Sequence, residues 1–146
     1  MTDTGGSIRA TGRCLCGAVK FIVRGPLRST VVACHCEYCR RFTGGLWTGT
    51  TARKRDVVIE DCGALGWYAV ESEGDRGRGF CRRCGSSLFG DGSEEFMAIA
   101  AGALDPPTGL RLAVHSWTSE SADYWSFDPE IPRKLEWSGL WGTEPS

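Results

Sequence analysis

Cys81-Arg82-Arg83-Cys84-Gly85 is the stretch on which the reading of this chain turns. The two-residue gap lets the backbone fold back so that both sulfurs face one point. Gly85 supplies the backbone freedom that such a turn needs. A structural zinc ion takes four ligands in a tetrahedron, commonly as two short pairs that are distant in sequence. The second pair comes either from Cys14-Leu15-Cys16 or from the cluster Cys34-His35-Cys36-Glu37-Tyr38-Cys39. Residues two apart in an extended segment project on the same face, so Cys14 and Cys16 reach one metal together. Gly17 follows Cys16 as Gly85 follows Cys84. The reading is therefore a structural zinc held by Cys14, Cys16, Cys81 and Cys84.

The rest of the composition agrees with a metal-bearing domain. The chain has 146 residues, eight of them cysteine, and a formal net charge of −1. That length suits one domain with a sizeable core, so metal is not needed merely to compensate for small size. The near-neutral charge provides no global attraction to nucleic acid. No apolar run approaches the roughly 20 residues of a membrane span. Met1 to Ala10 is polar and glycine-rich, without a signal-peptide core, and reads as a flexible leader. The expected organisation is a leader over 1–10, a zinc domain over 11–141 and a tail over 142–146, in a cytoplasmic protein. Cysteines in a reducing compartment are better explained by metal than by disulfides, and seven of the eight lie in tight clusters.

Secondary-structure signals point to a mainly β fold. Ala18–Val23, Leu46–Thr51, Val57–Ile59, Leu65–Val70, Phe96–Ala101 and Arg111–Trp117 read as strands, most of them rich in β-branched or aromatic residues. Pro106-Pro107 marks a turn between the last two. Helical signals are short, at Glu37–Phe42 and Glu120–Trp125.

The central cluster suits a second metal. Cys34 and Cys36 share a face if extended, and a short turn returns Cys39 to the same point. His35 then faces the opposite way, which makes it a poor ligand for that ion. Three protein ligands and one vacancy is the pattern of a catalytic zinc. Three thiolates on a dication leave a charge near −1, which suits capture of a thiol better than polarisation of a carbonyl. Arg40 and Arg41 follow directly and are candidates to offset that charge and to bind substrate. Two alternatives stay open: Cys62 as a fourth ligand that closes the site, and a metal-free, redox-active cluster. Further basic residues are Arg53, Lys54, Arg55, Arg82 and Arg83. Trp47, Trp67, Trp117 and Trp125 read as core. Alternation places His115 on the face of Arg111, Ala113 and Trp117, opposite Leu112 and Val114.

With these residues in place, the chain resembles the glutathione-dependent formaldehyde-activating enzyme family, also called centromere-protein-V-like, from about Gly12 to Trp137. Gly12-Arg13-Cys14-Leu15-Cys16-Gly17-Ala18-Val19, then Cys34-His35-Cys36-x-x-Cys39-Arg40 with Thr43-Gly44, then Phe80-Cys81-x-x-Cys84-Gly85-Ser86, match its three motifs in order. The resemblance implies a mainly β, Mss4-like two-sheet "β-tent" with zinc-bearing loops and one or two short helices. It implies a structural zinc at Cys14, Cys16, Cys81 and Cys84 and a labile catalytic zinc at Cys34, Cys36 and Cys39. The implied activity is that of a carbon–sulfur lyase, joining glutathione or a similar small-molecule thiol to formaldehyde or another small aldehyde. The chain departs from the family where a Ser-Lys-Ala-x-aromatic stretch is common: it has Glu120-Ser121-Ala122-Asp123-Tyr124, so the lysine is absent and an acid is present. The main rival is a non-enzymatic zinc module for protein or nucleic-acid binding. A methionine-sulfoxide-reductase-like role would need a metal-free reactive cysteine, and only Cys62 qualifies.

Overall fold

The computed structural model describes residues 6–69 and 77–137. Ten strands form two sheets: β1 (Ala10–Arg13), β2 (Lys20–Val23), β3 (Thr30–Cys34), β4 (Trp47–Arg53), β5 (Val57–Glu60), β6 (Leu65–Tyr68), β7 (Arg78–Cys81), β8 (Ser87–Gly90), β9 (Phe96–Ala100) and β10 (Arg111–Ser116). The small sheet has the order β1-β2-β5, and the large one β10-β3-β4-β9-β8-β7-β6. Every pairing is antiparallel except β10 on β3. One helix, α1 (Glu37–Thr43), joins β3 to β4.

The small sheet supplies one wall of the main core. In β2 the alternation is simple: Phe21 and Val23 are buried, whereas Lys20 is exposed and Ile22 partly so. These side chains meet Leu88, Phe89, Ala52, Met97 and Ile99 of the large sheet. Phe89 is fully buried, with its ring edge-on to Phe21 at 5.1 Å between centroids and stacked on Trp67 at 6.3 Å.

Strand β9 is buried along its whole length. Its two faces serve different cores. Met97 and Ile99 join the main core, while Ala98 and Ala100 join a smaller one with Cys34, Cys39 and Trp47. A central strand covered on both sides reads as a continuous apolar run, as Phe96-Met97-Ala98-Ile99-Ala100 does.

Several expectations are corrected. The leader's end is ordered: the Arg9 N–H donates to Val23 O, and Ala10 opens β1. Residues 1–5, Val70 and the expected tail at 142–146 lie outside the described residues. Glu120–Trp125 is not a helix. A 3-10 turn over Thr118–Glu120 ends there and a single turn at Asp123–Tyr124 follows, because the segment is too short and polar to bury a helical face. Trp67 is 47% exposed and Trp125 37%, so of the four tryptophans only Trp47 is fully core. The alternation argued for His115 fails because a bulge between Leu112 and Val114 shifts the register. Val114, His115 and Ser116 are all buried.

Replacing Phe89 with Ala is expected to cost about 3–5 kcal/mol. Urea unfolding with zinc in excess measures it, and a loss under about 1 kcal/mol contradicts a shared core between the two sheets.

Candidate metal centres

Two groups of sulfurs converge, each with all its Sγ atoms within 4.8 Å of one another: Cys14, Cys16, Cys81 and Cys84, and separately Cys34, Cys36 and Cys39. All eight cysteines are free thiols.

The first centre is built from two turns. Cys14 directly follows β1, and the Gly17 N–H donates back to Cys14 O at 3.2 Å, with Gly17 at φ +83°. Cys81 ends β7, and the Gly85 N–H donates to Cys81 O at 2.7 Å, with Gly85 at φ +78°. Both glycines occupy the left-handed region that other residues avoid. Cys16 lies in its turn rather than in an extended strand, so it is chain reversal, not the two-residue pleat, that brings it to Cys14. Ser86 ties the turns together: its Oγ accepts the Leu15 N–H at 2.9 Å and lies 3.1 Å from Cys84 Sγ. That contact, with backbone amide donors, holds the Cys84 thiol down to about 5. Cys14 Sγ and Cys16 Sγ are 3.6 Å apart, and Cys16 Sγ and Cys81 Sγ 3.8 Å. Ligands at the usual Zn–S distance of about 2.3 Å in a tetrahedron stand roughly 3.8 Å apart, whereas a disulfide is about 2.05 Å. The four sulfurs fit zinc.

The second centre hangs on the end of β3 and the start of α1. Cys34 and Cys39 are buried and Cys36 is half-buried. Cys36 is the N-cap of α1, where its Sγ accepts the Cys39 N–H at 3.3 Å. Gly44 closes the helix at φ +80°, with its N–H on Arg40 O. Thiol donors from Cys34 and Cys39, the Cys39 amide and the nearby Arg78 charge push the Cys36 thiol far down. Cys34 is pushed up by its two sulfur neighbours and by burial. One sulfur thus bears a thiolate that the others stabilise, and a cation takes the place of the shared protons when metal binds. Cys62 belongs to neither group. It sits exposed in the turn after β5, with φ 52°.

The cations are not where adjacency placed them. Arg41 is exposed and paired with Glu37 at 3.0 Å, one turn back on α1. Arg40 is half-buried on the same helix, its Nε without a hydrogen-bond partner. Arg78, from β7, reaches the thiols: its Nη2 lies 3.9 Å from Cys39 Sγ, and its guanidinium lies over the Tyr38 ring at 5.8 Å. Arg53 pairs with Glu95 and Lys54 with Asp91. Arg55, Arg82 and Arg83 are exposed. No local signal singles out Arg78, because its place relative to Cys34 depends on four successive strand pairings, β7 on β8, β8 on β9, β9 on β4 and β4 on β3.

His35 does point away from the sulfurs. Its Nε2 is 2.8 Å from Nδ1 of His115, the only other histidine. Trp125 and Phe127 pack on His35 at 5.3 and 5.2 Å. Burial first, and then the His115 charge, lower the His35 imidazole to about 4, so the pair is neutral at neutral pH. Glu120, where the family pattern differs, accepts the Glu37 N–H at 2.8 Å and so caps α1.

This architecture and these motifs agree with the comparisons to known proteins. A family model described as glutathione-dependent formaldehyde-activating enzyme matches residues 9–120. The chain belongs to this family. A curated protein of Halomonas elongata named "Putative glutathione-dependent formaldehyde-activating enzyme" is 31% identical, over 72% of this chain and 74% of that protein. A crystal structure of a Rhodobacter sphaeroides protein superposes with a TM-score of 0.56, covering 84% of this chain and 98% of that one. At 23% identity it shows the shared fold. All seven motif cysteines of this family member lie in the two converging groups.

Structural zinc contributes folding free energy directly. Cys84→Ser is therefore expected to cost more than about 4 kcal/mol and to release one zinc ion. Thermal melts and metal analysis of the variant test this; an unchanged melt removes the folding role of the first centre.

Proposed function

We propose that the protein is a zinc-dependent carbon–sulfur lyase that adds a small-molecule thiol, glutathione or a similar one, reversibly to a small aldehyde such as formaldehyde. The observation that carries the reading is the second centre: three converging sulfurs with no fourth His, Cys, Asp or Glu ligand among the described residues. Family membership supports the substrate class. A zinc ion held by Cys34, Cys36 and Cys39 would supply Lewis acidity that lowers the pKa of a substrate thiol, so that the thiolate would be available at neutral pH.

The protein's own groups hold and tune that centre. Cys34 and Cys39 are anchored in the smaller core, and half-buried Cys36 packs against it. Arg78 offsets the excess negative charge of the thiolates and of an incoming anionic sulfur. In the forward reaction the thiol sulfur forms a bond to the aldehyde carbon. The carbonyl π electrons move to oxygen, which takes up a proton. In reverse the C–S bond breaks and the carbonyl re-forms. No side chain is needed as a carbon acid or redox partner. A first zinc at Cys14, Cys16, Cys81 and Cys84 is structural. The free thiols fit a reducing, cytoplasmic setting. Among the described residues no helix is long and apolar enough to cross a membrane.

Exchange NMR between free aldehyde and its thiol adduct measures the acceleration above the spontaneous reaction. Wild-type protein is expected to speed exchange, and Cys36→Ser to return it to the spontaneous rate while keeping the fold and one zinc ion. Exchange that is unaccelerated by wild-type protein, or that survives in Cys36→Ser, overturns the lyase in favour of a zinc-bearing binding module.

A further inference from the structure

The three sulfurs of the second centre do not share protein donors evenly. Cys36 Sγ accepts the Cys39 N–H at 3.3 Å, and Arg78 Nη2 lies 3.9 Å from Cys39 Sγ. Among the described residues, no amide, hydroxyl or cationic group donates to Cys34 Sγ. Yet Cys34 is 3% exposed, so water does not supply the donor either. Zinc takes cysteine as the thiolate, and a buried anion without a hydrogen bond is costly.

A donor without a partner stands beside it. Ser116 is the register partner of Cys34 in the parallel pairing of β10 on β3. Paired residues project on the same face of a sheet, and neighbouring strands are about 4.8 Å apart. The Ser116 side chain is therefore on the sulfur-bearing face, whereas His115 faces His35 on the other. Ser116 is fully buried, and its Oγ has no hydrogen-bond partner. The next residue, Trp117, packs on the core that holds Cys34 and takes the left-handed conformation at φ 55°, which is uncommon for a bulky side chain. An unpaired buried hydroxyl lowers stability, unless another state of the centre gives it a partner. The first centre has such a pairing already made: Ser86 Oγ lies 3.1 Å from Cys84 Sγ.

We propose that Ser116 is a positioning residue of the second centre, its hydroxyl serving as the donor to the Cys34 thiolate in the metal-loaded protein. The inference rests on the metal-binding reading of that centre and adds a residue that strengthens its hold on the ion. Each thiolate then has a protein donor of its own: an amide for Cys36, a guanidinium for Cys39 and a hydroxyl for Cys34. The hydroxyl offsets part of the excess negative charge at Cys34, as Arg78 does at Cys39.

The test uses the full chain with zinc in the first centre. Competition with a chromophoric chelator measures the affinity of the second centre for zinc, and cobalt serves as the spectroscopic probe. Ser116→Ala is expected to weaken the second ion about tenfold or more and to leave the first in place. The sulfur-to-cobalt charge-transfer band should move to lower energy, because a thiolate without its donor gives up an electron more readily. With the second centre empty, Ser116→Ala should melt no lower than the wild type, since an unpaired buried hydroxyl has been removed. Ser116→Thr and Ser116→Val have nearly the same shape and differ in the hydroxyl. The threonine variant should hold the second ion several-fold more tightly than the valine variant. Equal affinities in that pair, or wild-type affinity in Ser116→Ala, overturn the role of Ser116 while the metal centre stands. A lower melt of Ser116→Ala with the second centre empty, and no shift of the cobalt band, overturns it in favour of plain packing. A wild-type chain that takes up no second ion overturns this role and the lyase reading together.

Discussion

Four sulfurs from two segments about 65 residues apart converge at one point, and most of the architecture serves that meeting. Cys14 directly follows a strand of the small sheet, and Cys81 ends a strand of the large one. A metal held between them would close the two sheets at one end, while Phe21 and Phe89 close them through the core. The turns that present the sulfurs rely on Gly17 and Gly85 at positive φ, and the hydroxyl of Ser86 bridges the turns. Apolar burial alone tolerates some sliding of one sheet on another. Ligands that must stand roughly 3.8 Å apart do not.

The second centre is governed by a different balance. Three thiolates overcompensate a dication, so the centre depends on positive charge drawn from elsewhere in the fold. The first turn of α1 contributes the Cys39 amide, and β7 contributes Arg78. The segment Cys34-His35-Cys36 separates two environments. Sulfur lies on one side, and on the other is a neutral imidazole pair enclosed by Trp125 and Phe127. The pair ties the ligand-bearing end of β3 to β10 by side chains as well as by the parallel ladder.

Much of this was legible in the sequence, for a physical reason: metal ligation is short-range and leaves tight spacings. Cysteine gaps with trailing glycines gave both groups and their partition, and the resemblance gave the two-sheet fold. The rest depends on long-range register. Strand β7 is Arg78-Gly79-Phe80-Cys81, in which a glycine weakens the strand signal although it is what allows Phe89 and Trp67 to approach. Strand β3 was hidden because its apolar run passes directly into the cysteine cluster. Arg40 and Arg41 were nominated by adjacency, whereas helical geometry turns Arg41 toward Glu37 and sheet pairing brings Arg78 to the sulfurs. His115 was misplaced by a bulge that no local pattern announces.

Strand β9 separates the two centres as a bulkhead separates compartments. Met97 and Ile99 face the core that holds Cys14 and Cys81, while Ala98 and Ala100 face the one that holds Cys34 and Cys39. The two groups of thiols therefore pack against different sides of one strand. The small side chains of Ala98 and Ala100 leave the second centre space to relax without pushing on Met97 or Ile99.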